Sequence, residues 1–97
     1  ELKKFVTEVN EAYRIFLSRS FKLPALQWKD SLVLADLKKY HRKMYDQFGL
    51  EIKNILEEIG NSLRKEVQIS DKDCHQFIDI TRKNVDHLEI YTRGGSE

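Results

Sequence analysis

Cys74 and His75, set among Asp71, Asp73 and Asp79, are the side chains whose types most readily suggest chemistry, because thiolate, imidazole and carboxylate all bind zinc. Their spacing does not suit it. A structural zinc site takes four Cys or His ligands, usually at CxxC or HxxxH spacing. Adjacent residues on a helix project about 100° apart, which puts Cys74 on an apolar seam and His75 on its flank. A buried free thiol near a helix start is expected, and no metal site. The densest basic cluster is Lys38, Lys39, Arg42 and Lys43, interleaved with Tyr40 and Tyr45. Cations on exposed helix positions suit phosphates, and tyrosines can stack on bases. A solvated helix face explains the cluster equally well, and Asp36 and Asp46 dilute it. These four residues are the candidates for a partner or phosphate contact. Acidic lipid is a further candidate partner for them, and there is no strong case for nucleic acid. His41 falls inside an apolar seam, where a lone histidine is usually a core residue with one ring nitrogen hydrogen-bonded. No Ser, Cys or Lys is placed beside it as a nucleophile.

Arg82 and His87 show an Arg-x4-His spacing that resembles the one used by HEPN-type ribonucleases, in which both side chains share a cleft. Five residues on a helix turn through about 140°, so these two do not share a face. Both flank the Val85/Leu88 seam. No glycine-rich phosphate loop exists, and Glu57 and Glu58 fall on an outer helix face. The expectation is a non-enzymatic protein with no catalytic residues and no cofactor, with a HEPN-like ribonuclease as a further alternative.

What the chain does show is apolar spacing. Leu2, Phe5, Val9, Ala12, Phe16 and Leu23 keep an a/d heptad broken only by Arg19. Leu34, Leu37, His41, Met44 and Phe48 keep the same beat, which resumes after a four-residue step as Ile52, Ile55, Ile59 and Leu63. Cys74, Ile78, Thr81, Val85 and Leu88 form a third run. A seam repeating every 3.5 residues winds helices around one another left-handedly. The spacing therefore predicts an all-α fold: one antiparallel three-helix left-handed coiled-coil bundle over residues 1–93, with residues 94–97 as a flexible tail. The expected core is Phe5, Val9, Phe16, Leu37, His41, Phe48, Ile55, Ile59, Ile78, Val85 and Leu88.

The first helix should run from about 2 to 21 and end before Leu23 and Pro24. Asp30 or Ser31 should cap a second helix over about 31–66. Ser70 with Asp73 resembles a capping box for a third helix over about 71–92, which Gly94 can terminate. Gly49 sits where the heptad slips, from Phe48 to Ile52. The second helix either unwinds locally there or breaks, and a break would make a four-helix bundle.

At 97 residues the chain is one domain. Its 34% charged and 40% apolar residues suit a well-solvated helical protein rather than a disordered one. The net charge of +1 gives no general attraction to acidic polymers. Residues 1–48 carry ten Lys/Arg against six Asp/Glu, and residues 49–97 carry seven against ten, an imbalance that can help antiparallel helices pair. One cysteine cannot staple the fold, so a reducing, cytoplasmic location is expected. No stretch approaches the roughly 20 apolar residues that span a bilayer. The chain begins without Met and is read as a piece of a longer protein.

Phe16-Leu17-Ser18, followed about two dozen residues later by Leu37-Lys38-Lys39-Tyr40-His41, resembles the spectrin repeat. That family's first helix commonly carries LxxF and then WL, and its second carries LxKKH. Leu2-Lys3-Lys4-Phe5 supplies LxxF, Phe16 stands at the tryptophan position and His41 matches the histidine. The chain departs from the pattern at Phe16, at Val85 where a second tryptophan is usual, and in Trp28, which falls in the first connection. The resemblance covers residues 2–93. It implies a scaffolding or spacer module of a larger cytoskeletal or signalling protein that meets protein partners or adjacent repeats. The alternative function is a compact four-helix bundle that binds a partner helix or peptide.

Overall fold

The structure is a computed structural model that describes residues 2–64 and 71–94. Among these residues the chain forms four helices and no strand: α1 (Leu2–Phe21), α2 (Asp30–Tyr40), α3 (Arg42–Arg64) and α4 (Asp71–Arg93). The proposed cap at Ser70, the end of the second helix at 66 and the tail beyond Gly94 lie outside the described residues.

α1 stops where Pro24 requires. Lys22 takes a left-handed φ of 61° and its N–H donates to the Ser18 carbonyl at 2.9 Å. That is the usual way to close a helix end, with Lys where Gly is common. The connection folds back along α1 instead of leaving it. Ser18 Oγ accepts from the Ala25 N–H at 3.1 Å, and Arg14 reaches Asp30 at the start of α2. Asp30 does not cap α2: it is already the first residue of the helix, and one of its carboxylate oxygens pairs with Arg14. Lys29 occupies the cap position with no side-chain cap bond.

The expected second helix is divided, and not at Gly49. The break falls at His41, with φ −133° and ψ 53°. One end of α2 is held beside Arg14 and the other beside Phe21, where His41 Nε2 lies 3.1 Å from the Phe21 carbonyl oxygen. α2 therefore climbs alongside the C-terminal half of α1, and the chain reverses into α3. α3 is the hub against which α1, α2 and α4 all pack. Phe48 meets Tyr91 and Glu51 meets Asn84, so α3 and α4 are antiparallel. The whole measures 43 × 23 × 19 Å, shorter than the roughly 54 Å of an unbroken second helix.

Gly49 is buried inside α3 because the Tyr45 ring lies on it. A Cβ added there would stand 2.8 Å from Tyr45 Cδ1. Gly49→Ala gains about 1 kcal/mol of helix propensity but must displace a ring packed against the core, at about 1–3 kcal/mol. The variant is expected to be less stable than wild type in urea unfolding. A stabilised variant would mean the ring moves freely.

Leu37, Ile55, Ile59 and Leu88 are buried. Phe5, Val9, Phe16, Phe48 and Val85 are half-buried against the core, and His41 and Ile78 are half-buried. Ala12 is exposed. The centre of α1's buried face is Val6, Tyr13 and Leu17, one residue on from the heptad chosen by sequence, with Phe21 beyond them. In α4 the centre is Cys74, Phe77, Asn84 and Leu88. The physical reason is that both helices turn their inner faces toward α3, which leaves Phe5, Val9 and Phe16 of α1, and Ile78 and Val85 of α4, only half-buried while Cys74 and Leu88 stay inside.

Candidate functional site

The buried face of α1 and that of α4 each carry one polar residue at a core position. Tyr13 is seven residues from Val6, and Asn84 is seven from Phe77. They are 2% and 1% exposed. A buried amide and phenol without partners would each be strongly unfavourable, and they answer each other: Tyr13 OH donates to Asn84 Oδ1. Asn84 Nδ2 donates to Glu51 Oε1 of α3 at 2.9 Å. The same oxygen lies 3.2 Å from His87 Nδ1, and the His87 ring stacks on Phe48 at 5.5 Å between centroids. One continuous line of hydrogen bonds runs from the interior to the surface through α1, α4 and α3. Its chemical content is small. Glu51 is an acceptor, and burial, then the Glu51 charge, pushes the Tyr13 phenol above its ordinary value of 10.0, so Tyr13 stays a neutral donor.

That direction sets a pH dependence. The folded value of Tyr13 stands above the unfolded one, so the stabilisation held by the neutral phenol is complete below about pH 10. It declines as pH rises beyond that, by up to about 1.4 kcal/mol per pH unit. Denaturant curves at pH 9 and pH 11 should show a larger loss for wild type than for Tyr13→Phe. Equal losses would place the alkaline sensitivity in another group.

The residues singled out from sequence are not brought together. His87 is held toward α3, whereas Arg82 is exposed on the other flank of α4. Cys74 is buried and His75 exposed; among the described residues no three His, Cys, Asp or Glu side chains are grouped to hold a metal. Lys38, Lys39, Arg42 and Lys43 are all exposed and straddle the His41 break. Lys39 Nζ stands 5.2 Å from the Tyr40 ring centroid, and Arg42 pairs with Asp46 at 3.4 Å. His41 does have one ring nitrogen bonded, to the α1 terminus.

The sequence reading missed Arg14. Its side chain, 12% exposed, donates to Asn10 Oδ1 at 3.0 Å, to the carbonyls of Ala25 and Trp28 at 2.7 and 2.8 Å, and to Asp30. No sequence spacing encodes a bond to a loop carbonyl. Tyr13 and Asn84 did leave a signal, since a heptad shifted by one residue in each helix places both in the core.

Between α1 and α4 runs an open groove of about 450 Å³. Ala12, Ile15, Phe16 and Arg19 line one wall, and Glu89, Thr92 and Arg93 the other. Arg19 and Ser20 facing Thr92 and Arg93, with Tyr13 bonded to Asn84 below, means that α1 and α4 run parallel. Ile15 is 37% exposed and Ile90 66%. Among the described residues no helix is long and apolar enough to cross a membrane. Comparison with protein-family models, curated proteins and solved structures finds no match to this chain.

Proposed function

We propose that this chain is a non-enzymatic interaction module of a larger protein, one that seats a partner helix in the groove between α1 and α4. The observation that carries this reading is the 450 Å³ groove lined on α1 by Ala12, Ile15 and Phe16, with Phe16 continuing the half-buried α1 series of Phe5 and Val9. Apolar residues at a/d spacing are the pattern by which one helix receives another. Arg19, and Arg93 paired with Glu89 at 3.7 Å, form a polar rim. Ala12 is exposed in the groove wall, so Ala12→Glu should leave the fold intact and place an unpaired charge where the partner helix sits. Affinity capture with wild type and Ala12→Glu, quantified by mass spectrometry, tests it. A protein held by wild type and lost with the variant supports the groove. Identical captures remove it.

A scaffolding spacer like a spectrin repeat is the second reading. It is favoured by the long axis of 43 Å and by α1 and α4 running parallel to each other and antiparallel to α3. It makes a separate prediction. Two copies joined in tandem should scatter X-rays as a rod roughly twice the length of one, and two independently tumbling particles would exclude it.

A further inference from the structure

α2 and α3 are separated by a single residue, and nothing local explains the break. Neither Gly nor Pro occurs from Asp30 to Gln47, the usual causes of a sharp bend. The backbone ladder reaches His41 from both sides: its N–H donates to the Leu37 carbonyl at 2.8 Å, and its carbonyl accepts from the Tyr45 N–H at 2.8 Å. The heptad Leu34, Leu37, His41, Met44 and Phe48 also passes through the break without a slip. The contacts that hold the bend are tertiary. The His41 imidazole is bonded to the Phe21 carbonyl and lies edge-on to the Phe21 ring, 5.0 Å between centroids. Val33 and Leu37 are fully buried.

We propose that His41 is a hinge through which two copies of the chain exchange α1 and α2, giving a domain-swapped dimer in which Asp30–Arg64 is one straight helix about 52 Å long. The exchanged arm moves as a unit because Arg14 ties α1 to the connection and to Asp30. Its contacts are remade in kind: Tyr13 meets the second copy's Asn84, and Val33 and Leu37 meet the second copy's α3. Only the backbone torsions near His41 change. The first N–H groups of α3 and the last carbonyls of α2, which a helix end leaves without helical partners, then bond to one another. Association entropy opposes the exchange, so the dimer grows with protein concentration.

The test compares His41→Ala with His41→Gly by size-exclusion chromatography with light scattering, from micromolar to millimolar protein. Both variants lose the imidazole and its bond to Phe21, so a general loss of stability is common to the two. They differ in helix propensity at the hinge. Counted at two hinges, that difference makes the dimerisation constant of His41→Ala about 30-fold larger than that of His41→Gly. The His41→Ala dimer should also persist for hours after dilution, because exchange back requires the arm to undock. Equal dimerisation of the two variants, or none in either, overturns the hinge, and so does a dimer that dissociates at once on dilution. Circular dichroism establishes that each variant is folded. If either is not, wild type refolded at millimolar concentration takes its place, and a wild type that remains wholly monomeric there overturns the proposal.

Discussion

Leu17→Ala is expected to lower the unfolding free energy by about 3–5 kcal/mol, and Phe16→Ala by about 1–3 kcal/mol, although the phenylalanine is the larger side chain. Leu17 has no exposed surface and is among the largest fully buried side chains. Truncating it leaves a cavity at the α1–α3 contact that neighbouring residues can only partly fill. Phe16 stands on the flank that lines the open groove, where solvent can occupy the space it vacates. A domain of this size holds about 5–15 kcal/mol in total, so Leu17→Ala should unfold at markedly lower urea. Ile55→Ala, 1% exposed, belongs with Leu17 at about 2–5 kcal/mol. If Phe16→Ala proves costlier than Leu17→Ala, α1 is rotated about its axis so that Phe16, not Leu17, faces the core.

Arg14→Lys is expected to destabilise by about 2–4 kcal/mol, close to the effect of Arg14→Ala. The guanidinium serves two backbone carbonyls, one amide oxygen and one carboxylate from a single planar fork. An ammonium at the end of a flexible stem can reach only part of that set. The carbonyls of Ala25 and Trp28 then lose their donor beside the buried Ala25 and the half-buried Trp28. Asp30 is 41% exposed, so the ionic part is screened and Asp30→Asn should cost only about 1 kcal/mol. Urea unfolding followed by Trp28 fluorescence reads both. Arg14→Lys within about 0.5 kcal/mol of wild type would show that the connection holds itself in place without the clasp.

Much of the helical content was legible because each signal for it is local. The end of α1 follows from Pro24, and the third periodic run gives α4 almost to the residue, whereas the second run gives the helical character of α2 and α3 but not the start of α3 at Arg42. The rotation of α1 and α4 was not legible, since both helices carry two apolar stripes, one residue apart. Phe5, Val9 and Phe16 compete with Val6, Tyr13 and Leu17 on α1. Strict periodicity selected the first. Contact with α3 selects the second, and the aliphatic pattern alone hides that choice because Tyr13 and Asn84 look polar until they are seen to satisfy each other.

The break at His41 is the clearest case of the tertiary structure overruling local preference. Gly49, which shares with Gly60 the weakest helix propensity in that segment, stays helical with the Tyr45 ring packed over it. His41, with no such defect, bends because α2 has a buried face to place and Arg14 and Phe21 hold its two ends. Composition, heptad spacing and the turn at Pro24 by themselves determined an all-α chain of amphipathic helices. Which face of each helix is inside, where the second helix divides and which polar groups are bonded were decided only on folding. Helix formation depends on contacts a few residues apart, whereas those three choices depend on pairs such as Tyr13–Asn84 and Phe21–His41, separated by tens of residues.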